Sequence, residues 1–420
     1  MAEDQPGPAA LATAEAIAEC PVNHSYFSGR KTAQVPEPAG CPVEQTDDGV
    51  WHIRDYDLAK QILRGPAAKQ AGFKVELADQ MPGMEQKPVL FQDGPDHQSQ
   101  RRQIARFFTP KTTSQKYRTM MENYADTLVA GLDDEGQIDL SDVSLKMAVR
   151  VAAQVVGLTN SRSPGMAGRL DSFLRFDPGE GAGFSWRPEQ LGAFLKTNYA
   201  MLAFYLLDVR PAIQARRKKR QEDVISHLLD QEYKDREILM ECVTYGAAGM
   251  ATTREFILTA SWHLLENPEL ARIYLSGTED ERHDLMREIL RLEPVVSNLY
   301  RRATANIELL HDGRSLIIPE GALIDLHIYG INSDPTVVGE APGAICPGRP
   351  LEKRAQPPVM AFGDGHHRCP GAFIAIQETD IFLRRLFAVD GLRLVREPTV
   401  DRNELIKGYE IRNFVVAASA

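Results

Sequence analysis

A single cysteine near the carboxyl end of the chain stands in a setting that suits metal ligation. Cys369 lies in a glycine-rich loop that begins at Phe362, includes Gly365, His367 and Gly371, and leads into an apolar helical stretch. Backbone N–H groups around a glycine turn, together with the positive end of the following helix, stabilise a thiolate against protonation. Such a thiolate can be an axial iron ligand, and glycines let the backbone approach a flat macrocycle closely. His367 is placed to meet an acidic group.

The spacing Phe-x-x-Gly-x-His-x-Cys-x-Gly resembles the haem-binding signature of the cytochrome P450 monooxygenases. A buried structural cysteine is the alternative for an isolated residue of this type, but the number of matched positions favours the resemblance. It implies that Cys369 ligates the iron of haem b (iron protoporphyrin IX), and that Phe362, Gly365, His367 and Gly371 contact this cofactor. It also implies a mainly α fold with a minor β region, in a single large triangular domain.

Two charged residues of a predicted helix, Glu288 and Arg291, are three positions apart and therefore share one face. Alone, this pattern is typical of a surface ion pair that contributes a few tenths of a kcal/mol. Beside the cysteine loop it resembles the Glu-x-x-Arg motif of the same family, with Arg349 as the third member. The resemblance implies a buried network on which the fold depends.

Three basic residues are candidates for binding the two haem propionates. His97 and Arg101 are four positions apart, again on one helical face. Imidazole and guanidinium groups are suitable donors to carboxylates. Arg301 aligns with a further propionate donor of the family, although the neighbouring Arg302 leaves the assignment open by one residue.

The oxygen site is expected on the helix that contains Ala248, Gly249 and Thr252, which resembles the family's Ala-Gly-x-acid-Thr stretch. Gly249 weakens the helix locally and makes room for dioxygen. Thr252 is expected to guide protons to the oxygen, and a helix-packing role is its alternative. The acid that normally precedes this threonine is Ala251 here, so Glu255, one turn further on, is the candidate substitute.

Composition limits the possible partners. The chain has 420 residues, of which 43% are hydrophobic and 25% charged, and its net charge of −10 argues against nucleic-acid binding. No apolar run reaches the ~18 residues that a membrane span needs. Five cysteines without paired spacing indicate a reducing, cytoplasmic setting.

The elements that must position these residues are mainly helices. Residues 1–48 are expected to be a poorly ordered or extended lead-in, and residues 49–420 a single domain, because no linker or repeat divides the sequence. Apolar periodicity predicts helices at Met120–Leu132, Leu145–Val156, Glu189–Arg217, Asp223–Leu229, Asp235–Glu266, Glu279–Arg291 and Phe373–Phe387. Short β runs are expected at Ile307–Leu310, Ser315–Ile318, Leu323–Ile328, Leu392–Val395 and Asn413–Val416.

Together the residues and the resemblance predict a monomeric enzyme that inserts one atom of O2 into an apolar small molecule. No flavin or dinucleotide-binding segment is visible, so a ferredoxin-type partner and a separate NAD(P)H reductase are expected to supply electrons. The substrate pocket is expected to be apolar, with aromatic and methionine side chains in its variable walls. These walls are expected at Gly72–Phe91, Phe173–Trp186, the oxygen-site helix, Val295–Leu299 and a turn at Tyr409–Ile411. Two alternatives stay open: a peroxide-driven oxygenase or isomerase, and a haem-based sensor without turnover.

Overall fold

Helices make up most of the fold. The computed structural model describes residues 29–33, 40–73, 85–174, 188–311, 313–404 and 406–418. The α-helices are α1 Tyr56–Arg64, α2 Gly94–Ile104, α3 Pro110–Thr112, α4 Arg118–Glu135, α5 Leu140–Val156, α6 Met166–Leu174, α7 Pro188–Phe204, α8 Arg210–Lys218, α9 Val224–Asp230, α10 Asp235–Gly246, α11 Thr252–Glu266, α12 Pro268–Ser276, α13 Glu279–Leu292, α14 Ile328–Asn332, α15 Pro335–Val338 and α16 Ala372–Leu386. Short 3-10 helices cover Val89–Phe91, Ala105–Phe107 and Gly365–His367, and π-helical turns cover Thr113–Tyr117, Tyr205–Val209 and Ala247–Ala251.

Local sequence signals fix several helix ends. Asp55 caps α1 by accepting a hydrogen bond from the backbone N–H of Leu58 at 2.8 Å. Helices α4 and α5 end at Gly136 and Gly157, whose φ angles of 69° and 102° are left-handed. Glycine adopts this conformation without steric cost, so both helices stop where the sequence supplies it.

The strands form one larger sheet and three small ones. They are β1 Val43–Gln45, β2 Trp51–Ile53, β3 Ala68–Gln70, β4 Gln137–Asp139, β5 Asn298–Ala303, β6 Ile307–His311, β7 Arg314–Ile318, β8 Leu323–His327, β9 Arg393–Arg396, β10 Thr399–Asn403, β11 Gly408–Arg412 and β12 Val415–Ala417. The five-stranded sheet has the order β1-β2-β8-β5-β3, in which β2 and β8 are parallel and the other pairs antiparallel. The remaining groups are β10-β11, β4-β12-β9 and β6-β7.

Two apolar clusters hold these layers together. The larger one joins the helices, with fully buried residues such as Tyr117, Phe382 and Phe414. The smaller one packs α1 against the five-stranded sheet through Ile62 and Leu326. Burial of this surface is the main favourable contribution to folding.

The predicted helices and the predicted strands after residue 306 are present, with ends that differ by a few residues. Glu189–Arg217 is α7, a π-helical turn and α8 in succession. The structure adds β1, β3, β4, β5, β10 and β11, where no strand was predicted. The expected turn at Tyr409–Ile411 is wrong, because these residues lie within β11, where Tyr409 and Ile411 are buried.

The expected lead-in over residues 1–48 is partly folded. Residues 1–28 and 34–39 lie outside the described residues, but β1 pairs with β2, and Thr32 is fully buried. Thr32 donates its hydroxyl to Glu293 Oε2 at 2.5 Å, the backbone N–H of Lys31 donates to the same carboxylate, and Arg30 lies 3.8 Å from it. Ordered structure therefore begins earlier than predicted.

The cysteines also differ from expectation. Cys41, Cys242 and Cys369 are free thiols, whereas Cys346 is disulfide-bonded, which the scattered spacing did not predict.

Candidate functional site

The cysteine loop is shaped by its own backbone and by the end of helix α1. The N–H of Cys369 donates to the carbonyl of Phe362 at 2.9 Å and closes the loop. Gly363 and Gly365 both have left-handed φ angles, of 68° and 66°. A Cβ at residue 365 would lie 2.1 Å from the carbonyl oxygen of Leu63, so this glycine is required by contact with α1. The structure therefore explains Gly365 by its contact with α1. The expected explanation was close approach of the backbone to a macrocycle.

The Cys369 side chain lies at an exposed position, yet protein atoms surround it on the other sides. This partial burial raises the pKa of its thiol, and the N–H of Gly371 and the guanidiniums of Arg101 and Arg368 oppose the rise. The donors that the sequence analysis expected are present, but they do not outweigh burial. A metal ion would, because a coordinating thiol is deprotonated outright.

His97 and Arg101 project from α2 toward this loop. The His97 ring is buried and stacks on the His367 ring with 4.1 Å between centroids. Its Nδ1 atom is buried without a hydrogen-bond partner among the described residues. The guanidinium of Arg101 donates to the carbonyl of Arg368 in the cysteine loop.

Arg301 on β5 is buried and donates to Gln70 Oε1 at 2.5 Å. Burial lowers the pKa of Arg301 to about 10, with an opposing contribution from Asp93. Arg302 points away, because successive residues of a strand face opposite sides, and donates to the carbonyl of Gly321 at 3.1 Å. Of the two neighbouring arginines, the structure thus places Arg301 on the side of the cysteine loop.

Asp93 is the acidic group that His367 meets, and the sequence analysis did not single it out. Its Oδ1 lies 2.9 Å from His367 Nε2, and both oxygens accept from the N–H of Gln70 at 3.2–3.3 Å. Burial acts to raise the pKa of Asp93, but His367 and Arg301 outweigh it and lower the pKa. The residue stands four positions before His97, a spacing that could have drawn attention to it.

This donor set fits a haem. Arg101 and Arg301 carry two positive charges and His97 offers an unpartnered buried nitrogen, against one nearby carboxylate, Asp93. Buried polar atoms are almost always hydrogen-bonded in native proteins. A ligand with two carboxylates beside Cys369 would satisfy the nitrogen and balance the charge, as the two propionates of a haem do.

The expected oxygen-site helix carries a local π-helical turn. Residues Ala247–Ala251 interrupt the α-helical pattern between α10 and α11, and such bulges are frequent at functional sites. The half-buried Thr252 donates its hydroxyl to the carbonyl of Ala248 at 2.6 Å. A Cβ at Gly249 would meet Ala152 at an ordinary 3.5 Å, so no contact with the described residues forbids a Cβ there.

Glu255 does not have the setting expected of a proton relay. Its carboxylate is fully buried and accepts from the N–H of Ile411 and a guanidinium nitrogen of Arg412, both at 2.7 Å, and from Arg254 at 3.0 Å. Burial raises the pKa of Glu255, with Arg412 and Arg254 opposing the rise. A carboxylate held by three donors joins α11 to β11, and most of its roughly four acceptor positions are in use.

Replacing Glu255 with glutamine is expected to destabilise the fold without changing how much of the consumed oxygen appears in product. Loss of charge-assisted hydrogen bonds to Arg254 and Arg412 should lower the free energy of unfolding by about 1.5–3 kcal/mol. Denaturant unfolding measures this loss, and Glu410→Gln, which also removes a partner of Arg412, is the matched control at a less buried site. Unchanged stability with reduced coupling would instead support proton delivery by Glu255.

The Glu288 network is buried and complete. Arg291 donates to both oxygens of Glu288 at 2.9 Å, and Arg349 Nε donates to Oε1 at 2.9 Å. Burial acts to raise the pKa of Glu288, but the two arginines outweigh it and lower the pKa. Both guanidiniums also donate to backbone carbonyls, including that of Ala344, which the two arginines share. The structure therefore brings the three predicted residues together and excludes the surface ion pair.

Much of the expected pocket wall lies outside the described residues. This applies to positions 74–84 and 175–187, which belong to two of the segments predicted to contact substrate. Of the segment at 295–299, Val295 is buried and Leu299 half-buried. No helix among the described residues is both long enough and apolar enough to cross a bilayer.

Comparisons with known proteins show which family and fold this chain resembles. The family described as Cytochrome P450 matches residues 284–394. The biotin biosynthesis cytochrome P450 of Bacillus subtilis (strain 168) is 24% identical over 355 residues, 80% of this chain and 82% of that protein. The erythromycin C-12 hydroxylase of Saccharopolyspora erythraea is 26% identical over 382 residues, 86% of each chain. The crystal structure of CalO2 superposes with a TM-score of 0.73 and 22% identity, over 90% of this chain and 93% of that one. The mainly α fold with its minor β region is confirmed, and the chain belongs to the cytochrome P450 superfamily of haem monooxygenases.

Proposed function

We propose that this enzyme holds haem b with Cys369 as the iron ligand and oxidises an apolar small molecule. The observation that carries the proposal is the buried, unpartnered Nδ1 of His97 beside Arg101 and Arg301, next to the cysteine loop. Cys369 would hold the iron, and His97, Arg101 and Arg301 would bind the propionates. When bound, the haem supplies the redox chemistry by which one atom of O2 enters a C–H or C=C bond.

Thr252 and the π-helical turn are the parts of the chain proposed to handle oxygen and protons. The turn offsets the helix backbone at Ala247–Ala251, and the Thr252 hydroxyl bonds within the helix, to the Ala248 carbonyl. By rotating, this hydroxyl can hold a proton at the wall of the site and pass it on. Ala251 has no proton to give, and Glu255 is held by arginines, so ordered water is the proposed source.

The proposed substrate class is apolar and small. Two relatives are named as a biotin biosynthesis enzyme and an erythromycin hydroxylase, which shows that this family acts on chemically different compounds. Fold alone therefore names no substrate. The expectation rests on the aromatic and methionine residues of the variable segments, which suit adaptable apolar pockets.

Titration of the ferric protein with terpenoid, steroid, fatty-acid, macrolide and aromatic compounds tests this proposal. A saturable shift of the Soret band from low to high spin identifies compounds that displace iron-bound water. Turnover of such a compound with a surrogate redoxin and its reductase is the expected result. Product formation with hydrogen peroxide but not with the redoxin would favour the peroxide-driven alternative. Absence of product under both conditions would favour a sensor.

A separate ferredoxin-type protein is the proposed electron donor. Six exposed cations could steer an acidic partner despite the net charge of −10. They lie on α2 or shortly after it, in the chain after α15, and in the cysteine loop. They are Arg102, Arg106, Lys111, Lys353, Arg354 and Arg368.

Raising the salt concentration is expected to slow reduction of the haem by an acidic ferredoxin. Exposed charges are screened over about 10 Å at 0.1 M salt, so steering weakens as salt rises. Stopped-flow reduction at several salt concentrations measures the effect, and Arg102→Glu should lower the rate and flatten its salt dependence. Arg393→Glu on β9 is the control, since this exposed arginine lies in a different sheet. A rate that does not vary with salt would contradict charge steering.

A further inference from the structure

Two imidazoles and a carboxylate meet on the five-stranded sheet, apart from the cysteine loop. His52 lies on β2, and Asp325 and His327 lie on β8. His52 Nδ1 is 2.8 Å from His327 Nε2, and each nitrogen is 3.5 Å from Asp325 Oδ2. One potential ligand atom from each residue thus points to a common centre.

Strand register separates this cluster from the haem-binding residues. His52 pairs with Asp325 across the parallel strands, and Asn298 of β5 pairs with His327. Paired residues share a face of the sheet, whereas neighbours along a strand face opposite sides. Asn298 shares a face with His327, and Arg301 is three positions further along β5, an odd number. Arg301 therefore lies on the opposite face of the sheet from the cluster.

Neighbouring residues hold the three side chains in place. Thr46 Oγ1 lies 3.2 Å from His52 Nε2, the ring nitrogen that faces away from the common centre. The Asn298 amide donates to Asp325 Oδ1 at 2.8 Å, which leaves Oδ2 directed at the imidazoles. Such outer contacts fix ring orientation and the choice of ligand atom in known metal sites.

We propose that His52, Asp325 and His327 form a binding site for a divalent transition-metal ion, with zinc as the ion of choice. Imidazole nitrogen and carboxylate oxygen are ordinary zinc ligands, and a tetrahedral ion with bonds of about 2.0–2.1 Å sets its ligand atoms about 3.3 Å apart. The observed separations, 2.8, 3.5 and 3.5 Å, lie on both sides of that value. The fourth position is left for water or an external ligand.

Burial makes the trio more than a surface cluster. Asp325 and His327 are 4% and 3% exposed, whereas the His52 side chain retains 16% and gives an ion access from solvent. Without an ion, one proton must lie between the two nearby imidazole nitrogens. Zinc takes its place by bonding to both nitrogens and to Oδ2, and the displaced proton is taken up by the other nitrogen of the same ring, so that both imidazoles remain neutral.

An ion at this site would cross-link β2 to β8 through their side chains. The two strands are hydrogen-bonded neighbours, but β2 has only three residues, and β1 at the edge of the sheet depends on it. A ligand that binds only the folded state raises stability with its concentration. Zinc would therefore stabilise this end of the sheet without contact with the haem.

The test is zinc binding by the haem-loaded protein, with zinc chloride as the probe. After equilibrium dialysis, mass spectrometry of the metal content should give one zinc per haem iron in the unaltered protein. His52→Gln and Asp325→Asn should each weaken zinc binding by at least about tenfold, and only the unaltered protein should show a zinc-dependent rise in Tm. His311→Gln, which removes an imidazole from β6, should bind zinc normally.

The carbon monoxide spectrum of each variant verifies that the haem site is intact. His52→Gln alters the most exposed of the three residues, so it keeps the test valid if Asp325→Asn fails to fold. Zinc binding that is equally tight in His52→Gln would overturn the proposal and place the ion elsewhere. Absence of zinc from the unaltered protein at micromolar concentrations would overturn it as well, leaving a hydrogen-bonded trio.

Discussion

Cys369→Ser is expected to abolish the thiolate-type carbonyl spectrum and monooxygenase turnover together. A serine hydroxyl has nearly the same shape but does not ionise at neutral pH, so it cannot donate electron density to iron as a thiolate does. His97, Arg101 and Arg301 remain, so some haem should still bind. The reduced, carbon monoxide-treated protein and a turnover assay with a substrate found by titration measure the two losses.

Cys41→Ser is the matched control, because Cys41 is also an exposed free thiol but lies beside β1. This variant should keep both the spectrum and the activity. Retention of the thiolate spectrum in Cys369→Ser would show that another residue ligates the iron. Haem content, measured in both variants, separates loss of the ligand from loss of the cofactor.

Glu288→Ala is expected to prevent accumulation of the haem-loaded protein. Removing this carboxylate leaves Arg291 and Arg349 buried with no acidic partner in the network, and an unpaired buried charge costs about 3–5 kcal/mol. Native proteins are stable by only about 5–15 kcal/mol, so the loss is a large fraction of the total. Haem absorbance relative to protein absorbance in the soluble fraction measures the result.

Glu269→Ala is the control, because it removes a carboxylate from an ion pair that has the same i,i+3 spacing but is exposed to solvent. Glu269 pairs with Arg272 three positions later on α12, where the side chains are 56% and 64% exposed. Screening by solvent limits such a pair to at most about 0.5 kcal/mol, so haem content should be unchanged. A Glu288→Ala protein that purified with full haem content would refute the structural role of the network.

Local patterns in the sequence predicted most of the fold because helix formation depends on near neighbours. The apolar spacing over Asp235–Glu266 predicted one long helix, and the structure has that span with a π-helical turn inside it. The turn itself is not encoded in apolar spacing. Strand β11 was missed although its partner β10 is close in sequence, because the burial of Tyr409 depends on distant contacts with Thr259 and with the carbonyl of Glu293.

In the candidate site, too, the local motifs were predictable and the contacts between distant residues were not. The cysteine loop and the Glu288 motif are short patterns whose residues lie close in sequence, so the resemblance could identify them. The contact between Asp93 and His367 joins residues 274 positions apart, and no local pattern reports it. The contacts of Glu255 could not be predicted for the same reason: its position on the helix was predictable, but its partner strand was not.

The attachment of residues 30–32 to Glu293 bears on how the chain folds during synthesis. Lys31 and Glu293 are 262 positions apart, and at about 5–20 residues per second the ribosome needs on the order of tens of seconds to make the intervening chain. For most of that interval the amino-terminal residues have left the ribosome, while the carboxylate that binds them does not yet exist. This contact can therefore form only after helix α13 and Glu293 at its end have been synthesised.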